Sequence, residues 1–173
     1  PGQMSYSSVG PGSSHHLYGF ALSESGARMV HVPYKGGAPA TQALVAGEVH
    51  ATFIDYVSLK PFVASGQVRL LAVTGTKRPA ISPEVATLGE QGVPGFESYG
   101  WGALFLPAKT PPEVVQKLEA EIAKALRQPD LVAKFTDVGF EIGGTPQAQF
   151  SAQVQADFTR WTTLIRKAGV TLD

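Results

Sequence analysis

Ser7-Ser8-Val9-Gly10-Pro11-Gly12-Ser13-Ser14-His15-His16-Leu17 decides how the chain is read. It follows an extended, alternating run from Met4 to Ser8 and feeds an apolar segment, Leu17 to Leu22, at helical spacing. A strand, a Gly- and Ser-rich turn and a helix, in that order, leave several backbone N–H groups without intrahelical partners. Those donors and the positive end of the helix dipole suit a carboxylate or a phosphate. Ser13 or Ser14 at the helix start adds a hydroxyl donor. The plainer reading, which the stretch alone favours, is that one serine caps the helix and the glycines make the turn.

Working outward, the same logic repeats. Helix from Ser14 to about Ser25 stops at Gly26, and Met29-Val30-His31-Val32 forms a short strand ended by Pro33. Tyr34-Lys35-Gly36-Gly37 is a second turn aimed at a helix, which runs from about Pro39 to Ala46 and ends at Gly47. Ala51 to Ile54 is a third strand with Asp55 at its carboxyl end, followed by a helix from Ser58 to Ala64. Arg69 to Thr74 reads as a strand buried on both faces. Alternating strands and short helices predict an α/β fold with a mainly parallel sheet. Ligands of such folds sit at the carboxyl ends of the strands.

Gly75 to Pro83 is an irregular, Pro- and Lys/Arg-containing excursion, and Val85 to Gln91 is expected as a short helix closed by Gly92 to Gly95. Phe96 to Leu106 carries Tyr99, Trp101 and Phe105 and reads as a segment leaving one lobe for another. Thr110-Pro111-Pro112-Glu113 starts a helix with Thr110 as cap and an apolar face of Val115, Leu118, Ile122 and Leu126. A second helix covers about Asp130 to Val138, stopping at Gly139. A third starts at Thr145-Pro146, with Phe150, Val154, Phe158, Trp161 and Ile165 on one face and Gly169 at its end. Pro1-Gly2 resembles the tail of a preceding element, which predicts a fragment.

The 173 residues suffice for one good core or two small lobes. Zero formal net charge, with no long basic run, argues against nucleic acid and against a polybasic membrane patch. No apolar run approaches the roughly 20 residues of a membrane span. No signal-peptide pattern opens the chain, as is also true of mature chains that have lost theirs. Cysteine is absent, which removes disulfides, Cys–zinc sites and thiol catalysis together.

The chemistry column is nearly empty. His15 stands where the third glycine of a dinucleotide fingerprint belongs, and no acid ends the second strand. Ser13 and Ser14 lie beside His15 and His16, but no G-x-S-x-G elbow surrounds them. The four histidines lack ligand spacing, so each is expected to be a residue with a satisfied hydrogen bond rather than a metal ligand. Asp55 either caps the following helix, the favoured reading, or accepts from a ligand amine or hydroxyl or holds a water. Lys35 could pair with a carboxylate, though turn lysines are usually solvated. Tyr34, Tyr99 and Trp101 could wall a pocket, though period-two aromatics more often belong to a core. No acid pair suits general acid–base work, which favours binding over catalysis. The rival reading is a small α/β enzyme acting on a carboxylate through Asp55 or a histidine.

The run Tyr6 to Leu17, then His31-Val32-Pro33-Tyr34-Lys35-Gly36-Gly37-Ala38-Pro39-Ala40, resembles the tripartite tricarboxylate transporter substrate-binding proteins, the Bug family. Gly47-Glu48-Val49-His50, Leu71-Ala72-Val73-Thr74, Gly100-Trp101-Gly102 and Leu106 to Pro111 add to the likeness, in the same order. The resemblance implies a periplasmic solute receptor with a type II periplasmic-binding-protein-like fold and a cleft between two α/β lobes. It further implies that residues 1–98 are the ligand-binding second lobe. Residues 99–173 would be a crossover and the helical part of the first lobe, whose amino-terminal portion, with its own Gly-rich carboxylate loop, is missing. The implied ligand is a di- or tricarboxylate or an aromatic acid, held through amides and waters and passed to membrane transporter subunits. The candidate ligand-binding residues are Ser8, Gly10, Gly12, Ser13, Ser14, Tyr34, Gly36, Gly37 and Asp55, with no catalytic residue, cofactor or metal ligand. Thr74 would end a neighbouring strand, and His50 departs from the acid common at that position of the family. Loss of a partner lobe would expose apolar surface from Trp101, Phe105 and the later helices, which predicts pairing with a second copy.

Overall fold

The computed structural model describes residues 3–98 and 100–171; Pro1, Gly2 and Tyr99, on which several of the expectations above fall in part, lie outside the described residues. Three parallel strands, β1 (Met4–Ser8), β2 (Met29–Pro33) and β3 (Ala51–Thr52), form a sheet in the order β2-β1-β3. Tyr6 lies opposite His31 on one side and Ala51 on the other. Among the described residues six α-helices accompany the strands, α1 (Ser14–Leu22), α2 (Gly37–Val45), α3 (Tyr56–Ala64), α4 (Pro112–Ala125), α5 (Pro129–Asp137) and α6 (Gln147–Lys167), and a short π-helical stretch (Ser23–Ala27) continues α1. Among the described residues no helix is long and apolar enough to cross a membrane.

β1 is central, and its side chains dictate how close the helices come. Tyr6 and Ser7 point to opposite faces, as successive strand residues must. The Tyr6 ring lies under Gly19 of α1, where an added Cβ would run into it, and its hydroxyl donates to the His16 carbonyl at 3.1 Å. On the other face the wholly buried Ser7 hydroxyl donates to the Ala40 carbonyl of α2 at 3.0 Å. Small residues, Ala40 and Ala43, form the buried side of α2. The two crossovers therefore cover opposite faces of the sheet, the doubly wound arrangement.

The main aromatic core lies beyond α1. Tyr18 stacks on Phe53 and Phe96, with centroids 5.7 and 5.9 Å away, and meets the edge of Trp161 of α6 at 5.2 Å. Leu88, Ala72 and Val93 fill the gaps around these rings.

Several expected elements are replaced, each for a local reason. β3 is two residues long, and α3 begins at Tyr56 rather than Ser58. Arg69 to Thr74 is no doubly buried strand: Leu71 is 65% exposed, and the segment bridges only at Val73 with Thr87. Its bonds go to the loop instead, from the Val73 amide to the Ala86 carbonyl and from the Leu88 amide to the Val73 carbonyl. Val85 to Gln91 is a turn rather than a helix. Thr87 and Glu90 exchange side-chain-to-amide bonds at 2.7 and 3.1 Å, a capping box that closes a single turn before Gly92 at φ +82°. Thr110 is not the cap of α4; Pro111 holds that place while the Thr110 hydroxyl donates to the Pro107 carbonyl.

The later helices form where their patterns predict them, but no residue of α4, α5 or α6 is fully buried. Phe158, expected on the inner face of α6, is 66% exposed. In the crossover segment Trp101 packs edge-on against Phe150 at 5.1 Å and donates to Asp157 at 2.7 Å, while Leu104 and Phe105 are exposed.

Gly19→Ala is expected to cost about 1–3 kcal/mol through overpacking against Tyr6, read as a lower denaturant midpoint with unchanged m-value. An unaltered midpoint would show that α1 does not rest on β1 in this way.

Candidate functional site

In the order β2-β1-β3 the chain leaves β1 toward one neighbour and returns past it to the other. The loops after β1 and β3 thus depart toward opposite faces, and the carboxyl edge between them is the position at which open α/β sheets form their ligand crevice. Three helix amino-termini reach that edge, those of α1, α2 and α3. Turn Gly10–Gly12 and turn Lys35–Gly37 end adjacent strands, and they are pinned together by the Tyr34 amide, which donates to the Ser8 carbonyl at 3.0 Å. A Cβ at Gly10 would stand 3.9 Å from the Tyr34 carbonyl oxygen, while one at Gly36 would meet open space. Asp55, beyond β3, comes within 3.7 Å of His15 across the crevice.

Ser13 is the N-cap of α1. Its hydroxyl donates to the Gly10 carbonyl at 2.7 Å and accepts from the His16 amide at 3.2 Å, so its hydrogen is committed inside the loop. The amides of Ser14 and His15 have no partner among the described residues, and the Ser14 side chain is exposed. At α2 the cap is Gly36 at φ +104°, a backbone region that favours glycine, and the Gly37 amide opens the helix with no side-chain cap above it. Asp55 holds the N-cap position of α3 but makes no capping bond; it faces His15 instead. The His15 ring holds the Asp55 carboxyl below its usual range, against the opposing effect of partial burial.

The structure does not bring every candidate to the crevice. The Ser8 hydroxyl is wholly buried, where it accepts from the Gly10 amide at 3.1 Å and meets His31 Nε2 at 2.6 Å. It shapes the loop from below. The Tyr34 hydroxyl is drawn along α2 to Glu48, at 3.3 Å, and only its backbone belongs to the turn. Trp101 packs on α6, Lys35 is exposed in its turn, and Thr74 ends no regular strand.

A feature invisible in the sequence supports the loop. His16 and His31 stack face to face, with centroids 3.9 Å apart and planes 9° apart. His16 Nδ1 accepts from the Gly12 amide at 3.1 Å. Burial, and then the neighbouring His16, push the His31 imidazole down to about 4, and burial lowers His16 as well. The two residues lie 15 positions apart; the one signal that could have paired them is the register that sets His31 beside Tyr6. His50 accepts from the Ser5 amide at 3.1 Å. His15 is the exception among the four, for its buried Nδ1 has no partner.

An open parallel sheet with amide-bearing turns gathered at its carboxyl edge is the arrangement of an α/β lobe of the periplasmic-binding-protein-like kind. The model of the tripartite tricarboxylate transporter family receptor matches residues 1–170, and the chain belongs to that family. It is 36% identical over 167 residues to the UPF0065 protein of the tcbD-tcbE intergenic region of Pseudomonas sp. (strain P51), covering 95% of this chain and 50% of that protein. Among solved structures, R. palustris Rpa4515 with adipate superposes at a TM-score of 0.86 with 32% identity, covering 99% of this chain and 57% of that one. The periplasmic binding protein BugD superposes at 0.78, also with 32% identity, covering 97% of this chain and 57% of that one. The chain thus spans about half the length of these proteins. The family is one of transporter receptors and BugD is a periplasmic binding protein, and nothing in these likenesses favours the small-enzyme alternative.

Because His31 binds its proton less readily folded than unfolded, it contributes stability that is fully present above about pH 6.5 and lost as pH falls toward about 4. The His31 share of the fall in unfolding free energy across that window is expected to be at most about 3 kcal/mol, read as a smaller fall in His31→Gln. A flat profile between those limits would contradict the buried, neutral ring.

Proposed function

We propose that this chain is the ligand-facing portion of a periplasmic receptor that captures a small carboxylate and delivers it, chemically unaltered, to the membrane subunits of a tripartite transporter. The observation that carries the reading is the convergence of unpartnered amides of α1 and the open Gly36–Gly37 turn on one edge of the sheet. Helix amino-termini of this kind favour an anion without a cationic side chain, and adipate in the related Rpa4515 is consistent with a dicarboxylate. In this reading the amides of Ser14 and His15, with the Ser14 hydroxyl, take one carboxylate. Gly36 and Gly37 border it, Asp55 orients the far side through His15, and Ser8, Gly10, Gly12, Ser13 and Tyr34 fix the turn. Tricarboxylates and aromatic acids fit the same donors. Residues 1–98 serve as the binding lobe, and residues 99–173 as the crossover and helices of the companion lobe.

Ser14→Pro provides a clean test. Proline suits the first position of a helix, and Ser13 already has the extended backbone (φ −66°, ψ 156°) that a following proline requires. The variant loses both the amide and the hydroxyl donor without disturbing the fold. Adipate binding by calorimetry is expected to weaken by about 1.5–3 kcal/mol, with adipate recovered intact. Equal affinity in the variant would take the start of α1 out of the site.

The exposed Leu104, Phe105 and Phe158 favour association of the isolated chain with a second copy. Light scattering is expected to give twice the 18.3 kDa of one chain, and a strict monomer would remove the homodimer.

A further inference from the structure

We propose that His16, backed by its stack on His31, is a positioning residue for the Gly10–Ser14 loop, and that the loop keeps its ligand-facing shape only while the His16 ring is uncharged. The consequence for ligand rests on the proposed function; the loop transition itself does not.

The geometry sets the protonation state. The Gly12 amide points its hydrogen at His16 Nδ1 from 3.1 Å, so that nitrogen must offer a lone pair. An imidazolium carries hydrogens on both nitrogens, and two N–H groups would then face each other. The bond to Gly12 must break. By contrast, the Ser8–His31 contact survives either state of His31, because the Ser8 hydroxyl can turn its hydrogen from His31 Nε2 to the Gly10 carbonyl at 3.2 Å. His16 is therefore the sensitive member of the pair.

The surroundings offer a charged His16 no compensation. From β1, Tyr6 faces the pair with its ring 5.1 Å from His31 and its hydroxyl on the His16 carbonyl. Burial pushes that phenol up to about 12, so it stays neutral. From β2 comes His31 itself, 3.9 Å away and parallel, where a second positive charge would be repelled. From α1 the neighbouring His15 is turned to Asp55 beyond β3, so that carboxylate is already engaged. Among the described residues no carboxylate, lysine or arginine bonds either ring of the stack. Burial lowers the His16 proton affinity, which keeps the loop closed at neutral pH and moves its opening into acid. The closure by Ser13, whose hydroxyl donates to the Gly10 carbonyl and accepts from the His16 amide and whose own amide donates to the Gly10 carbonyl at 3.3 Å, involves no atom of the ring, so the opening is local, at Pro11 and Gly12.

The test is an NMR titration of the ligand-free chain from pH 7.5 to 3.5, following the His16 ring carbon and the Gly12 amide. The Gly12 amide is expected to lose at least about tenfold of its exchange protection, relative to its intrinsic rate, at the same midpoint as His16 protonates. His16→Asn keeps an oxygen acceptor near the place of Nδ1 and cannot take a proton, so the transition should vanish. His16→Ala should leave the Gly12 amide unprotected at every pH. Protection that persists through His16 protonation, or a transition that survives in His16→Asn, would overturn the proposal, and the wild-type titration decides it even if a variant fails to fold. Adipate binding at pH 7.5 tests the receptor reading separately. If both hold, the ratio of wild-type to His16→Asn affinity, in which the acid's own titration cancels, should fall at least about tenfold one pH unit below the midpoint.

Discussion

The structure depends on how closely two helices approach the central strand β1. That strand presents one large ring on one face, Tyr6, and wholly buried serines, Ser7 and Ser8, beside it. A serine in a buried strand is tolerable only if its hydroxyl is bonded, and both are. Ser7 is tied to the Ala40 carbonyl of α2, and Ser8 is tied to the Gly10 turn and His31. Larger apolar residues would hold the helices farther off and leave the turn above β1 without its supports. The absence of a Cβ at Gly19 lets α1 settle onto the Tyr6 ring. Close approach on both faces fixes where α1 and α2 begin, and hence where their free amides point.

Anion capture of this kind needs no charged side chain in the crevice. Backbone donors held by the fold cost no side-chain ordering when a ligand arrives, and they accept carboxylates of many shapes. In the proposed reading, a receptor built on such donors could change ligand by altering the walls around them while the turns stay fixed. The same economy explains the scarcity of chemistry among the candidate residues: Ser13 and Ser8 spend their hydroxyls on the loop itself. The histidines belong to this supporting layer, with His16 holding the Gly12 amide from behind the surface that a ligand would meet.

The second part of the chain has a different character. α4, α5 and α6 carry amphipathic patterns, yet none buries a residue fully. α6 is joined to the first part through Trp161 against Tyr18, through Arg160 bonding Ser98 and Gly95, and through the Lys167–Glu24 ion pair at 3.0 Å. Exposed ion pairs of that sort are worth little, so the aromatic contact is the principal tie.

By itself, the sequence determined the local architecture. Strand, glycine turn and helix recur after Ser8 and again after Pro33, because turn chemistry, capping and apolar periodicity act over only a few residues. The stops at Gly47 and Gly139 and the start of α4 behind tandem prolines were legible for the same reason. Only the tertiary structure decided which local options survived. Ser13 and Asp55 occupy the same cap position on their helices, yet one caps and the other turns to a histidine on a different helix. The segment around Leu71 has the composition of a buried strand but finds its partners in the 85–96 loop. The His16–His31 stack requires α1 to lie over β2, and no pattern along the chain encodes that distance. Contacts between residues far apart in sequence follow from how the sheet is ordered and covered, and propensity carries no information about either.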